Sequence, residues 1–504
     1  MSFVSNTFLL FAGASVILYY LAPARFRWVV LLVFSYIYYL TAGVRLVGFL
    51  LFSTIVTFVA GRVIGYLYEK GREPKQVRWI LILALVLNFF MLGLTKYTGM
   101  LIDALNALFH MELRGLDLVL PLGISFYTFQ SSGYLLDVYL RRITAEKRPL
   151  QYALFVSFFP QIMQGPIGRY NQLADQLFEP HALKGENLIR GAERMLWGFF
   201  KKMVIADWTA VFVDAIFAAP DQYQGLAFFG AFLYLIQLYA DFSGAMDIVI
   251  GLAQMYGITL EENFRRPLFS TSVADFWRRW HITLGRWMKD YLFYPMMLSS
   301  WMTKITKWAK TKFGRKTGRM VPIALADVLV FLVVGIWHGA GGTYIFFGFY
   351  NGLIIGASEL LADRYRKWKT ALHISGTEAW YHGFMIVRTL LLTISRMYFS
   401  RADSMAQALQ MIKNTFTSFQ PSLLLTIPAG RDGLSFTPYA LLIIVCGCIV
   451  MLAVDILQER GVKIRESLSR LPLPATAAVY FVLLLSIGLF GSTDATKGFI
   501  YAQF

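Results

Sequence analysis

The chain has 504 residues, of which 57% are hydrophobic, 16% aromatic and only 15% charged. Soluble proteins carry about 25% charged residues, so this composition excludes an ordinary soluble multidomain protein. The net charge of +17 would suggest nucleic acid for a soluble domain. In a membrane protein it is typical of basic loops on the cytoplasmic side, so we expect no nucleic-acid partner.

Apolar runs that are long enough, or nearly long enough, to cross a bilayer recur along the whole chain. The clearest are residues 7–24, 28–44, 46–61, 79–94, 439–454 and 475–490. No basic residue precedes the first run and a second follows closely, so we expect a retained span and not a cleaved signal peptide. The sequence therefore predicts an all-α polytopic membrane protein.

Basic loops alternate with these runs and predict the topology. Counting them gives roughly 11–12 crossings with both termini outside, and residues 155–165 and 291–300, too short to span, read as re-entrant or interfacial. We expect one membrane domain over residues 1–504. Residues 1–140 would supply N-terminal helices, 141–361 a core with the re-entrant segments, and 362–504 the C-terminal helices.

Polar side chains interrupt several of the apolar segments. Gln130 ends a run that begins at Pro121, Gln164 lies between two prolines, and Asp241 and Ser243 fall within a stretch of about 30 apolar residues. Ionisable groups inside a membrane are costly and by default mark a site or a pathway. An equal alternative for Asp241 is structural pairing with Arg388 or Lys201, and for Asp247 the structural interpretation is favoured.

Residues 275–287 read Asp-Phe-Trp-Arg-Arg-Trp-His-Ile-Thr-Leu-Gly-Arg-Trp. If residues 276–288 form one helix, a single face carries Trp277, His281, Leu284 and Met288. Flanking this face are Arg278, Arg279 and Arg286, as expected of an amphipathic segment at the membrane surface. The alternative is that the arginines bind lipid phosphates and His281 is only packed.

A second histidine, His338, lies in the sequence Gly-Ile-Trp-His-Gly-Ala-Gly-Gly at residues 335–342. It ends an apolar run, and the following glycines allow the backbone to break and approach a ligand closely. An imidazole at such a position could accept a proton from a hydroxyl as a general base, although a packed core histidine is the alternative. Since no ligand motif accompanies the histidines, and Cys446 and Cys448 lie in an apolar run, we expect no metal.

Together these motifs resemble the membrane-bound O-acyltransferase (MBOAT) superfamily, and more narrowly the bacterial membrane subunits that O-acetylate exported polysaccharides. The segments that carry the resemblance are residues 1–6, 121–130, 164–166, 241–244, 263–267, 275–284, 335–339 and 499–504. The resemblance implies a ring of helices with funnels from both faces. It implies His338 as the catalytic histidine and His281 as a second active-site residue. The side chains expected to line a substrate tunnel are Gln130, Gln164, Asp241, Ser243, Trp277, Trp280 and Trp337.

The resemblance further implies acetyl-CoA as the acyl donor, with no permanently bound cofactor, in the cytoplasmic membrane of a bacterium. We expect Arg278, Arg279 and Arg286 to bind the CoA phosphates. The expected acceptor is an exported polysaccharide, alginate-like or a cell-wall glycan, reached directly or through an extracytoplasmic SGNH-type partner. Three alternatives remain: a D-alanyl transferase of teichoic acids, a polytopic transporter or flippase, and a structural scaffold.

Overall fold

The structure is a computed structural model that describes residues 1–114, 119–339, 341–431, 434–435, 437–491 and 498–500. Helices dominate these ranges and are numbered in chain order. They are α1 Asn6–Leu21, α2 Arg27–Leu40, α3 Val44–Glu69, α4 Pro74–Phe109, α5 Ile124–Tyr139, α6 Pro149–Ser157, α7 Phe159–Ile162, α8 Tyr170–Phe178, α9 Gly185–Phe199, α10 Asp207–Ala218, α11 Ala227–Met255, α12 Val273–Arg279, α13 Ile282–Met288, α14 Tyr294–Met297, α15 Ser300–His338, α16 Gly342–Leu360, α17 Ala362–Ala371, α18 Ala379–Arg401, α19 Met405–Thr417, α20 Thr437–Glu459, α21 Ile464–Leu468 and α22 Leu473–Phe490.

Shorter elements complete the description. Two π-helical turns, Phe200–Ala206 and Lys289–Phe293, continue α9 and α13, and four 3-10 turns occupy Ala24–Phe26, Gln224–Leu226, Pro267–Phe269 and Pro421–Thr426. Two strands of two residues each, β1 Gly430–Arg431 and β2 Leu434–Ser435, pair antiparallel with Gly430 opposite Ser435. The fold is therefore all-α in class, as predicted.

Six of the described helices are long and apolar enough to cross a membrane, namely α3, α4 over Pro74–Ile102, α11, α15, α20 and α22. The pair α16 and α17, bent by 59°, would make a seventh span. The protein is thus a multi-pass membrane protein. The 11–12 crossings expected from sequence are more numerous because that count included runs that form short helices, such as the 16-residue α1, and polar ones, such as the arginine-bearing α18.

The segments expected to be re-entrant or interfacial form short helices. Residues 155–165 contain the end of α6 and the four-residue α7, and the side chains of both helices from Gln151 onward are buried. Residues 291–300 contain the end of a π-helical turn and the four-residue α14. Helices of this length supply interior surface without reaching across a bilayer.

The centre of the molecule is α11, whose apolar window is 78% buried. Glycines allow α9 to approach it closely: a Cβ added at Gly191 or Gly251 would lie 2.6 Å from the carbonyl oxygen of the other, and one at Gly198 would lie 2.6 Å from the Gly244 oxygen. Small residues at a helix interface bring backbones together in this way. The contact sets the basic end of α9 beside the acidic middle of α11.

A buried ion cluster results from this contact. Lys202 Nζ lies 2.7 Å from Asp241 and 2.8 Å from Asp207, and the backbone N–H of Ile500 donates to Asp241 at 3.0 Å. The partners proposed for Asp241, Arg388 and Lys201, were therefore wrong. Because Lys201 and Lys202 are neighbours in sequence, composition alone could not decide which of them turns toward Asp241.

The other carboxylate of α11 has the structural pairing that the sequence favoured. Asp247 lies 2.6 Å from Lys201 Nζ and 2.9 Å from Arg194 Nε. Arg194 also binds Glu262 at 2.5 Å. These four charged groups, Arg194, Lys201, Asp247 and Glu262, all line a large cavity.

Candidate active site

The segment that carries His281 is broken, so the condition of one helix over residues 276–288, on which the shared face depended, is not met. Helix α12 ends at Arg279, Trp280 is extended, and His281 has a left-handed backbone with φ of 47° before α13 begins. Trp280 pairs with Phe264 in an isolated antiparallel bridge. Backbone hydrogen bonds to the loop of residues 263–265 therefore replace those of a continuous helix. The spacing of apolar residues within 275–287 does not reveal this break.

Asn263 organises this break. Its backbone oxygen accepts from the Ile282 N–H at 3.1 Å, and its side-chain Oδ1 accepts from both the backbone N–H and the hydroxyl of Thr283 at 3.0 Å. Its amide nitrogen lies 3.3 Å from His281 Nδ1. A non-glycine residue holds a left-handed backbone only where its surroundings compensate for the strain, and Asn263 provides that compensation.

His338 is the last residue of α15, as predicted, and Ala340 of its glycine-rich motif lies outside the described residues. The Trp337 ring joins the two histidines, with ring centres 4.6 Å from His338 and 5.8 Å from His281. Its indole N–H is buried without an acceptor among the described residues. The two predicted histidines therefore share one buried site and one intervening ring.

Helix α4 fixes the end of α15, a contribution that sequence reasoning missed. Tyr97 donates its hydroxyl to the Ile336 oxygen at 2.8 Å, and Lys96 Nζ donates to the Trp337 oxygen and lies 5.7 Å from the Trp337 ring centre. The last carbonyls of a helix lack partners within it and favour a cation. The available signal was a lysine within the membrane-spanning part of α4, Pro74–Ile102, because such a group is rare there.

A small cavity of about 30 Å³ opens at His338. Its wall is mostly aromatic and includes Trp277, Trp280, Tyr344 and Phe347. Arg396 of α18 also lines it and is almost fully buried, with its guanidinium carbon 4.6–5.3 Å from the ring centres of Phe276, Trp277 and Phe347. Such cation–π contacts hold the charge beside His338 in a low-dielectric site. Arg396 was not among the site residues predicted from the sequence.

A second, much larger cavity of about 890 Å³ lies between α9, α11 and the C-terminal helices α20–α22. One side is charged. Its cations are Arg194, Lys201, Arg265, Arg266 and Arg465, and its carboxylates are Glu193, Asp247, Glu262 and Asp455. The other side is apolar, formed largely by Val450, Val454, Val479, Val482 and Leu483. Its wall also includes Asn263, the residue that supports His281.

Trp280 lies between the two cavities. Its ring centre is 4.9 Å from that of Phe264 and 6.2 Å from that of Tyr239, and both of these rings line the large cavity. Trp280 itself lines the small cavity with His338. The rings of Phe264, Tyr239 and Trp280 thus lie between a space of ligand size and the histidine.

The remaining candidates for the tunnel have different surroundings. Trp277 lines the small cavity and donates its indole N–H to Asn351 at 3.0 Å, and Ser243 lines the large one and accepts from Lys201 at 2.8 Å. Asp241, in its ion cluster, lines neither cavity. Trp337 lines neither cavity, and its contact with the site is the packing of its ring between the two histidines.

The two glutamines also lie outside both cavity walls. Gln130 donates to the Phe155 oxygen at 2.5 Å and accepts from Gln161 at 2.8 Å. Gln164 is fully buried, and neither atom of its amide has a partner among the described residues. A buried amide without partners is expensive, so its neighbourhood suits an ordered water or a polar ligand.

The three arginines expected to bind CoA phosphates are paired with carboxylates. Arg278 lies 3.3 Å from Asp275, Arg279 2.9 Å from Glu459, and Arg286 2.5 Å from Glu261. None of the three lines the large cavity. The described residues contain no cluster of three or more potential metal ligands.

Residues 146–395, which include both histidines, match the membrane-bound O-acyltransferase family. The chain is 34% identical over 424 residues to the probable alginate O-acetylase AlgI of Pseudomonas aeruginosa, covering 83% of this chain and 75% of the relative. The chain belongs to the MBOAT family. Its class of chemistry is accordingly acyl transfer.

Other relatives differ in the polymer that their names give. The probable alginate O-acetylase AlgI of Pseudomonas syringae pv. tomato is 36% identical over 70% of this chain, and the match spans 65% of that relative. The peptidoglycan O-acetyltransferase of Helicobacter pylori is 33% identical over 66% of this chain and 64% of its own length. The teichoic acid D-alanyltransferase of Bacillus subtilis is 31% identical over 50% of this chain and 62% of its own length.

Proposed function

We propose that the protein transfers an acetyl group from acetyl-CoA, across the membrane, to hydroxyl groups of an exported polysaccharide. The observation that carries this proposal is the position of His338, buried at the end of α15 and facing a small cavity. The large cavity reaches Phe264 and Tyr239, whose rings pack against Trp280 in the wall of the small cavity. Relatives named as O-acetylases support the acetyl group and the glycan acceptor.

The proposed chemical step uses His338 as a general base. The acceptor hydroxyl gives its proton to the imidazole while its oxygen attacks the carbonyl carbon of the thioester. Collapse of the tetrahedral intermediate breaks the carbon–sulfur bond, and the proton passes from the imidazolium to the leaving CoA thiolate. Arg396, held by three aromatic rings beside His338, is suited to stabilise the negative oxygen of that intermediate.

The large cavity is the proposed donor site. Its 890 Å³ falls within the range of roughly 300–1,000 Å³ that is typical of small-molecule sites. The apolar side formed by α20 and α22 suits a pantetheine arm, and the charged side suits a nucleotide. The segments that contribute Arg265 and Arg465 to its wall are ones that the charge pattern predicts to be cytoplasmic, where acetyl-CoA is made available.

Arg265 and Arg465 replace the arginines named from sequence as the proposed phosphate ligands. Both line the cavity, and neither makes an ion pair among the described residues, whereas Arg194 and Arg266 do. Burial, followed by repulsion from Arg194, lowers the pKa of the Arg465 guanidinium. An anionic ligand would relieve that repulsion, and guanidinium groups bind phosphate with paired hydrogen bonds.

The acceptor and its delivery complete the proposal. Helix α18 ends at Arg401, which lies 2.9 Å from Asp214 near the end of α10, and residues 214–221 contain no basic residue. The small cavity therefore belongs to the end of the molecule that the charge pattern predicts to be outside. An alginate-like or cell-wall glycan would be acetylated there. An extracytoplasmic SGNH-type subunit is the proposed partner for presenting a long polymer.

The test compares His338→Ala with His382→Ala, a histidine at the start of α18 that lines neither cavity. Membranes that contain each variant and the polysaccharide receive radiolabelled acetyl-CoA, and label in the polymer is measured. We expect His338→Ala to abolish transfer at unchanged expression and His382→Ala to retain it. Parental transfer by His338→Ala would exclude this residue from the mechanism.

D-alanyl transfer is the second candidate, favoured by the match to the Bacillus subtilis teichoic acid D-alanyltransferase. The same membranes distinguish the two activities when they receive labelled D-alanine with its carrier protein in place of acetyl-CoA. Incorporation of D-alanine without acetate would replace the proposed donor. Because the chain belongs to an acyltransferase family, no observation on the described residues favours a transporter, a flippase or a scaffold.

A further inference from the structure

Trp280 lines the small cavity at His338, and its ring packs against two rings that line the large cavity. Its ring is 2% exposed and lies between Phe264 and Tyr239 on the side of the large cavity and the wall of the small cavity on the other. On a third side it stacks on Phe276 at 5.3 Å with an angle of 21°. We infer that Trp280 sets the length of the acyl chain that can reach His338, restricting transfer to the shortest acyl groups.

Backbone hydrogen bonds on both sides of Trp280 hold it in this position between two helices. Its bridge to Phe264 is flanked by hydrogen bonds from the Arg265 N–H to the Arg279 oxygen at 2.9 Å and from the Ile282 N–H to the Asn263 oxygen at 3.1 Å. Two short pieces of extended chain are therefore paired inside a helical protein. Because the backbone on both sides of Trp280 is paired in this way, bending of α12 or α13 alone cannot move the indole ring out of the site.

The space on the far side of Trp280 is small. A water needs about 10–15 Å³ of such volume, so the cavity of about 30 Å³ holds about two groups of that size. A carbonyl carbon with its oxygen fits this description. Each further methylene would meet the rings of Trp277, Trp280 or Phe347, and close-packed interiors resist additional volume.

The preference for one acyl length over another that an aromatic wall can produce has a known range. One extra methylene in an apolar pocket changes the specificity ratio by roughly 10–200-fold. The inference rests on the proposed use of acyl-CoA as donor and adds the residue that selects among donors. It therefore predicts that the intact protein prefers acetyl-CoA to propionyl-CoA by a factor in that range, and that removal of the indole reduces the factor.

The experiment measures kcat/KM for acetyl-, propionyl- and butyryl-CoA with membranes that contain the chain and its acceptor polysaccharide. Trp280→Ala is compared with Trp208→Ala, a matched loss of a buried tryptophan that lines neither cavity. We expect the acetyl-to-propionyl ratio to fall at least tenfold for Trp280→Ala and to stay at the parental value for Trp208→Ala. A gain of activity on longer chains cannot arise from misfolding.

Two outcomes would overturn the inference: an unchanged ratio for Trp280→Ala, or an equal fall for Trp208→Ala. If Trp280→Ala does not accumulate, Trp280→Phe, which retains a smaller ring, is expected to shift the ratio in the same direction, and an unchanged ratio there overturns the inference as well. The proposed function fails separately, because His338→Ala would then transfer acetyl groups normally whatever the ratio shows.

Discussion

Asn263 should couple the stability of the protein to its activity, because its side chain holds the break at His281. In Asn263→Leu the backbone N–H and the hydroxyl of Thr283 lose their shared acceptor at 3.0 Å. Leaving a buried donor unsatisfied costs about 1–3 kcal/mol, so we expect a loss of roughly 3 kcal/mol in the free energy of unfolding. The strained backbone of His281 is then free to relax, and misplacement of an active-site group by about 1 Å can lower the rate about 100-fold.

Thr283→Val is the matched control for this prediction. It keeps the bond from the Thr283 N–H to Asn263 Oδ1 but removes the hydroxyl that accepts from the Ile167 N–H at 3.0 Å. We expect it to cost about 1–2 kcal/mol, less than Asn263→Leu, and to retain most of the activity. Thermal unfolding in detergent and transfer of labelled acetyl groups by membranes give the two quantities.

Asn263→Leu with parental unfolding temperature and parental activity would show that the loop of residues 263–265 does not hold His281. A loss of stability with unchanged acetyl transfer per folded molecule would keep Asn263 as a packing residue only. In that case the geometry of His281 would not matter for the reaction.

Three further perturbations test other contacts. Lys202→Met leaves two carboxylates buried beside each other and should destabilise the protein by about 3–5 kcal/mol, whereas Lys202→Met with Asp241→Asn should recover part of that loss in thermal unfolding. Lys96→Met removes the cation at the Trp337 oxygen and should lower acetyl transfer about tenfold at unchanged KM for acetyl-CoA; a change in KM alone would contradict this. Arg465→Gln should raise the KM for acetyl-CoA about tenfold with little change in kcat, and an unaltered KM would remove Arg465 from the donor site.

The sequence by itself determined the fold class of the protein and pointed to two histidines as candidate site residues. Long apolar runs with few charges require helices that satisfy their own backbone hydrogen bonds in lipid, so an all-α membrane protein followed directly. His338 was recognisable because an imidazole at the end of an apolar run, followed by glycines, is expensive unless it has a role. These conclusions depend only on local composition and order along the chain.

The tertiary structure decided how the site is assembled. Asn263 and Trp280 meet through pairing of two extended segments that interrupt an apparently helical pattern. Lys96 and Arg396 come from α4 and α18, more than 50 residues from either side of His338 in sequence. Local periodicity carries no information on contacts between distant helices, and neighbouring residues such as Lys201 and Lys202 differ only in the direction that packing gives them.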